Sequence, residues 1–536
     1  MKTLEAPTAF QAYRVPRTDR SALIDPPLDS AAQLLADNAR AAADWDIEFS
    51  GIAIADLRRQ ARADLLRAAT HYTTRYRDYQ GPTGTDAILL AGHQPQLFHP
   101  GVWFKNFALS HLATKLHATP INLVVDNDLR GSGSVRVPTR SSDGSIQATT
   151  VAYDDPGASV PLEQHRIANR NRFDSFDQRL AEAVQPWVSD PNVLELWPHA
   201  RRAADRCENT GCALAGARHA LEGQVGLQTL ELPLSVVCRS RSFAAFLVGL
   251  ISELPRLHEC YNASVKQYRL AHGIRSSAHP VPLLGERDGW LEAPLWIYGD
   301  NAPQRRPVWV RANGDQLEIS DLDGVCFQIN NDPHDPQTAE QLFEAQSTNV
   351  KLRPRALITT MYSRLVLGDL FLHGIGGGKY DQLGDTIMRR FFEIEPPRFM
   401  VMSATVLLPG ASHGGPLDVG EHHLRELREQ IRSTRFNPQR FAGQAALPEE
   451  LLRQHRELLQ NIPQRGDKQA WHQQLQVVND RLSANLDGTR EQLQRRLAET
   501  QERVKQQQLL ASREHPFCIY PLETLTATYE TLLQVR

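Results

Sequence analysis

The chain is poor in cysteine, has no long apolar run and carries no surplus of either charge. Its six cysteines are scattered through 536 residues without a CxxC pair, which argues against a disulfide frame or a zinc knuckle and for reduced thiols. Cys207 and Cys212, five positions apart, read as two ordinary residues of a helical stretch. No run of about 18 apolar residues occurs, so no membrane span is expected. The opening MKTLEAPTAFQAYRVPRTDR lacks the basic-then-apolar order of a secretory signal, and a cytoplasmic protein is expected. Lys and Arg number 59 against 62 Asp and Glu, a formal charge of -3. That balance speaks against nucleic acid or a membrane surface as partner.

What is present is a 41% hydrophobic content, enough for a sizeable core in a chain too long for a single one. Helical spacing over residues 30–80 precedes AILLAG (87–92), a short apolar run of the kind buried on both faces of a parallel sheet. The loop HQPQLFHPG, a helix over 102–118 and a second apolar run, INLVVDND, complete a strand-loop-helix-strand unit. DLFLHG, IGGGKYDQ, a helix from about Leu383 to Phe392 and RFMVMSATVLL repeat that order. The fold class expected is α/β: a Rossmann-like parallel sheet with inserts, followed by an α-helical coiled-coil hairpin.

The expected organisation places N-terminal helices and the first half of the core in 1–129 and a mainly helical insert in 130–224. The second half of the core falls in 225–415, with an antiparallel meander at about 285–330, then a coiled coil in 416–515 and a return segment in 516–536. Trp471, Leu475, Val478, Leu482, Leu493, Leu497 and Val504 follow the three-and-four spacing of a coiled coil, with breaks at Pro438, Pro448 and Pro463 and a bend at Gly488.

Three segments carry candidate chemistry. A loop from a buried strand into a helix offers free N-H groups and the positive end of the helix dipole, and His93 and His99 add groups that titrate near neutrality. Shaping a turn is the alternative role for these histidines and the prolines beside them. The spacing H-x5-H-P-G departs from the HxGH of nucleotidyltransferases, which weighs against adenylyl transfer. Asp126 and Asp128 leave their strand on one side, with Asn127 between them, and suit binding a cation, orienting an amine, sharing a proton or capping a turn. In HGIGGGKYDQ, Gly376, Gly377 and Gly378 permit close approach to a ligand, Lys379 offers an ammonium to phosphate or carboxylate, and His373 and Asp381 flank them. Arg353 and Arg355, with Tyr362 and Arg364, suit either a carboxylate clamp or ordinary ion pairs. His413 in GASHGGP is a weaker candidate on a loop.

AGHQPQLFHPGVWFKNFALSHLATKL, the strand ending VVDNDL, LRPRALITTMYSRLVLGDLFLHGIGGGKYDQLGDTIMRRFF and the closing HPFCIYPLETL together resemble the BshC family of cysteine-adding enzymes of bacillithiol biosynthesis. The resemblance implies a Rossmann core, a coiled coil that mediates homodimerisation, and a ligase that joins cysteine to the amine of a glucosaminyl malate. It aligns Gln94 and Pro95 with a TGQQPGLF-like loop, Asp126 to Asp128 with an EDHD-like strand end and Gly374 to Lys379 with a GGPGE-like loop. Asn127 replaces the family's His, and Lys379 reverses the charge of its acid.

The leading expectation is therefore a BshC-like ligase or transferase that joins an amine or thiol such as cysteine to a sugar-derived or nucleotide-derived small molecule. His93, His99, Asp126 and Asp128 are its candidate catalytic groups; Gln94, Asn127, Arg353, Arg355, His373, Gly376 to Gly378, Lys379 and Asp381 its candidate binding groups. Use of ATP or ADP is left open. The alternatives are a divalent-metal hydrolase and a non-catalytic nucleotide or metabolite sensor with a dimerising coiled coil.

Overall fold

The computed structural model describes residues 10–275, 281–409, 411, 417–463, 466 and 468–534. It divides into two compact units, one of residues 1–137, 149–406 and 513–536, the other of 138–148 and 407–512. His413 lies outside the described residues.

The first unit is a mixed α/β structure around a six-stranded sheet. Its strands are β1 (Ser21–Asp25), β2 (Ile88–His93), β3 (Thr119–Val124), β4 (Leu230–Pro233), β10 (Leu370–His373) and β11 (Met400–Thr405), in spatial order β1-β11-β10-β2-β3-β4. All neighbours run parallel except β1, which pairs antiparallel with β11. The intervening labels belong to a separate antiparallel sheet: β5 (Trp290–Tyr298), β6 (Arg306–Asn313), β7 (Gln316–Ser320), β8 (Cys326–Asn330) and β9 (Lys351–Pro354), ordered β8-β7-β6-β5-β9. The apolar runs form the central strands because helices cover both of their faces. Edge strand β1, SALID, is half-buried and too short to stand out in the sequence.

Helices α1 (Ala31–Ala43), α2 (Ile54–Thr74), α3 (Pro100–Leu116), α4 (Val193–Cys207), α5 (Thr210–Gln224), α6 (Arg241–Ile251), α7 (Leu254–Ala271), α8 (Ala356–Tyr362) and α9 (Ile375–Phe391) belong to this unit. On one face Leu90, Ile121, Leu123, Leu232 and Val401 pack with Leu65 of α2 and Leu383 and Ile387 of α9. On the other, Asn122 of β3 joins α3 through a buried polar chain: Asn122 to Glu231, Glu231 to Arg218, Arg218 to Glu222, and Glu222 to Trp103 and Asn106. Thus α3 and α9 lie on opposite faces. The β2-α3-β3 connection moves toward one edge and the β10-α9-β11 connection toward the other, although β2 and β10 are neighbours. Where neighbouring strands send their connections apart, a crevice opens at their carboxyl ends.

Two expectations for the first unit need correction. The glycines do not precede a helix that starts near Leu383; α9 starts at Ile375, capped by Gly374, and Gly376 to Gly378 form its first turn. Glycine's low helix propensity hid this start, and the turn survives because the rest of α9 packs on the sheet. Cys207 and Cys212 are not two residues of one helix. Glu208 adopts the left-handed conformation that ends α4, Asn209 caps α5, and this tight corner brings the two Cα atoms to 6.5 Å in a disulfide.

Among its described residues the second unit contains four α-helices where the heptad spacing suggested two: α10 (Leu417–Phe436), α11 (Glu449–Gln460), α12 (Lys468–Ala484) and α13 (Asp487–Leu510). Helix α10 packs on α13 and α11 on α12, around Leu427, Phe441, Val478, Leu482 and Leu493. Asn485 and Leu486, not Gly488, make the turn between α12 and α13; Gly488 lies inside α13.

Candidate functional site

Strand β2 ends in Gly92-His93. The His93 carbonyl accepts the Val125 N-H at 2.9 Å, so it points toward β3. Successive carbonyls of a strand alternate in direction, so that of Gly92 points toward β10. There it accepts, at 2.6 Å, a hydrogen bond from Lys105 Nζ. Lys105 is 2% exposed and sits on α3, which is apolar around most of its circumference. Among the described residues the amine makes this one hydrogen bond and no ion pair. Burial, with a smaller contribution from the Arg218 guanidinium, pulls its pKa down to about 7, so the amine is part protonated and part neutral at neutral pH. Lys105 thus lies at the seam between the diverging loops.

His93 and His373 stand at the ends of adjacent strands on opposite faces of the sheet. His93 Nδ1 lies 3.1 Å from the Gln94 carbonyl, an acceptor, which fixes the proton on Nδ1 and leaves Nε2 with a lone pair. Burial, and after it the charge of Lys105, pushes His93 down to about 3; it is neutral and acts as a hydrogen-bond acceptor rather than a proton carrier. His373 turns to the α9 face, where Nε2 lies 2.8 Å from Asp381 Oδ2. Asp381 also accepts from Arg364 at 2.7 Å and from Thr360 at 2.6 Å, and the nearby positive groups hold its carboxyl well below the usual range against the effect of burial. Asp381 is fully enclosed and orients the ring rather than meeting a ligand. His373 Nδ1 faces the α9 first turn, 2.9 Å from where a Cβ on Gly377 would sit.

That first turn is open where it matters for a ligand. A Cβ at Gly374 or Gly376 would meet nothing within 4 Å, whereas one at Gly378 would collide with Val401. Gly376 and Gly377 are exposed and their N-H groups belong to the unpaired first turn of a 17-residue helix. Lys379 is exposed and without an ion pair among the described residues.

His99 is placed differently from the expectation. It caps α3, with Nδ1 accepting the Gly101 N-H at 3.1 Å, and Pro100 follows at the first helical position. Burial lowers its pKa, and Nε2 lies 3.7 Å from Glu514. The ring is spent on the cap and is corrected from a catalytic to a structural role.

The acidic turn after β3 is braced rather than free. Asp126 accepts the Ser235 N-H at 2.9 Å and its hydroxyl at 2.5 Å; burial first, and the neighbouring Glu163 second, raise its pKa. Asp128 accepts from Gln94 Nε2 at 2.9 Å and from Arg305 at 3.1 Å, tying the β2 loop to the β3 turn. Asn127 donates to the Pro354 carbonyl at 2.8 Å. The proposed arginine clamp is corrected too. Arg353 forks onto Glu163 at 2.7 and 2.9 Å, and Arg355 pairs with Glu292 while its guanidinium lies 4.1 Å from the Trp296 ring centroid. Both charges are matched internally.

The groups brought together are therefore Gln94 with Asp128, Lys105 with His93 and His373, and His373 with the first turn of α9. Sequence reasoning missed Lys105, Glu163, Ser235 and Arg305. For Lys105 a signal existed: a lone lysine in the middle of VWFKNFAL, a helix without a polar face, is a charge that needs a reason. Among the described residues, no three His, Cys, Asp or Glu side chains form a group suited to a metal ion. Neither a protein-family model nor a characterised protein matches the chain in sequence.

Proposed function

We propose that the chain is a ligase or transferase that joins an amine or thiol compound, cysteine being the first candidate, to a small acidic sugar-derived partner held between the β2 loop and α9. The partner's amine attacks the cysteine carboxyl carbon once a nucleoside triphosphate has activated that carboxyl as an acyl phosphate or acyl adenylate, so the amide bond forms as the phosphate or nucleotide leaves. One observation carries the reading. The buried Lys105 amine, titrating near 7, stands where two connections part at the carboxyl ends of β2 and β10. Its neutral form accepts the proton that the attacking amine loses, and its charged form returns one to the departing phosphate or nucleotide oxygen. The His93 lone pair orients the amine N-H. The N-H groups of Gly376 and Gly377 and the helix dipole take the anionic part of the acceptor. A lysine at 379 in place of an acid favours carboxylate or phosphate there. The sequence resemblance supplies the substrate class, and the name Rossmann for the sheet is part of the same reading, as is a dimer formed through the second unit.

A metal hydrolase is the weaker reading because the carboxylates it would use are already bonded: Asp126 to Ser235, and Asp128 to Gln94 and Arg305. The test is to incubate the protein with cysteine, glucosaminyl malate and ATP and follow thiol-labelled product by mass spectrometry, beside Lys105→Met and His93→Gln. Product from the native chain, lost in K105M with folding intact, supports the proposal. Unchanged turnover in K105M removes its chemical centre.

A further inference from the structure

Cys207 is the last residue of α4 and Cys212 stands in the first turn of α5, with Glu208 in the left-handed conformation and Asn209 at the cap between them. Both cysteines are half-buried, so the corner is open to a small reactant. Cys238 and Cys518, by contrast, are sealed in the core, where burial pushes the thiol up. The disulfide is not what shapes the corner. Asn209 accepts the Cys212 N-H at 3.1 Å, the Ile167 N-H donates to the Glu208 carbonyl at 3.1 Å, the Thr210 N-H donates to the His165 carbonyl at 3.1 Å, and the Thr210 hydroxyl lies 2.9 Å from His165 Nδ1. These contacts hold the two Cα atoms 6.5 Å apart, within bridging range, without help from the sulphurs. A disulfide stabilises most when it closes a long loop, and this one spans five positions.

The two sulphurs sit at opposite helix poles. Cys212 lies at the N-terminus of the 15-residue α5, whose partial positive charge favours a thiolate. Cys207 lies at the C-terminus of α4, whose partial negative charge favours the thiol, and its S-H has the Ala203 carbonyl at 3.0 Å to donate to. We propose that this corner is a thiol-disulfide exchange site for low-molecular-weight disulfides, with Cys212 as the nucleophile and Cys207 as the resolving thiol. The Cys212 thiolate attacks one sulphur of the small disulfide and expels a thiolate, which takes up a proton in place of the one Cys212 gave to water. The Cys207 sulphur, losing its proton, then attacks Cys212 Sγ of the mixed disulfide and expels the second thiolate, which leaves with that proton. One small disulfide is reduced to two thiols as the two cysteines are oxidised to one bond, and the reverse sequence opens it. The bond forms at the start of the helix whose Arg218 and Glu222 join β4 to α3. The oxidation state of the surrounding thiols therefore acts on that brace, whatever reaction the crevice performs.

The experiment uses the whole chain, reduced with dithiothreitol, freed of it and exposed to glutathione disulfide at neutral pH, with products located by mass spectrometry of the tryptic peptide Cys207–Arg218. The native chain should gain the Cys207–Cys212 bond and keep no glutathione. Millimolar reduced glutathione should then open the bond again while the circular dichroism stays unchanged. Cys207→Ser should accumulate the mixed disulfide on Cys212. Cys212→Ser should acquire glutathione on Cys207 at least about threefold more slowly, because each unit by which a thiol's pKa falls is worth roughly that factor once the accompanying loss of nucleophilicity is counted. A bond that withstands reduced glutathione in the folded native chain is a plain staple and overturns the proposal. Equal rates in the two variants, or a faster Cys207, overturn the assignment of roles. Should a variant misfold, limiting iodoacetamide on the reduced native chain decides the same question: Cys212 labelled first supports the assignment, and Cys207 labelled first overturns it.

Discussion

The two ends of β10 treat buried charge in opposite ways. At its amino end Asp369 accepts from Arg58 at 2.8 Å, from Arg62 at 2.9 Å and from the Ile88 N-H at 2.9 Å. Both guanidiniums there face the one carboxylate, and the cluster bolts α2 to the sheet. At the carboxyl end Lys105 is equally buried but has a single neutral carbonyl. Matched charge holds the fold; unmatched charge, costly to keep, marks the place where a substrate is expected to complete the set.

Replacing Asp369 with Asn is the strongest way to break the contrast. It strands Arg58 and Arg62 in the core and should cost about 3–5 kcal/mol in urea unfolding. Lys105→Met should act the other way. Turnover should fall about 10²-fold or more, while stability at pH 6 rises. The sign follows from linkage: with the folded pKa near 7 and the unfolded one near 10.5, the unfolded chain binds more protons between those values. Native stability therefore climbs with pH across that window, and the advantage of K105M shrinks across it.

The glycine turn gives an intermediate effect. Gly378→Ala forces a Cβ against the Val401 side chain and should destabilise by about 1–3 kcal/mol. Gly376→Ala enters open space and should stabilise α9 by about 0.5–1 kcal/mol while weakening binding of the acidic acceptor. The smallest effect is expected from His93→Asn. Native His93 titrates near 3 when folded, against 6.5 for an unperturbed histidine, so acid lowers native stability as pH falls from 6.5 toward 3. The variant should lose that part of the acid dependence in denaturant titrations.

The parallel strands were legible because apolar runs such as AILLAG and INLVV have little choice but burial on both faces. Their loops followed, and so did the pairing of the His93 loop with the glycine segment at one rim. Edge strand β1 was not legible, being short and half-buried, nor was the first turn of α9, where tertiary packing overrides glycine's propensity. The arginines misled for a different reason. Arg353 and Arg355 announce carboxylate recognition, but their partners, Glu163 and Glu292, are 190 and 63 residues away, and a local pattern cannot show that a charge is already matched. Lys105 was overlooked for the converse reason: its significance lies in a missing partner.

The most direct measurement is the titration of Lys105 itself. The chain has eight lysines, so a protein labelled with ¹³C at lysine Cε gives a spectrum in which each can be followed against pH and assigned by Lys105→Met. One resonance moving with a midpoint near 7, and absent from K105M, is the predicted result. A Lys105 resonance that stays fully protonated past pH 9 would contradict the account.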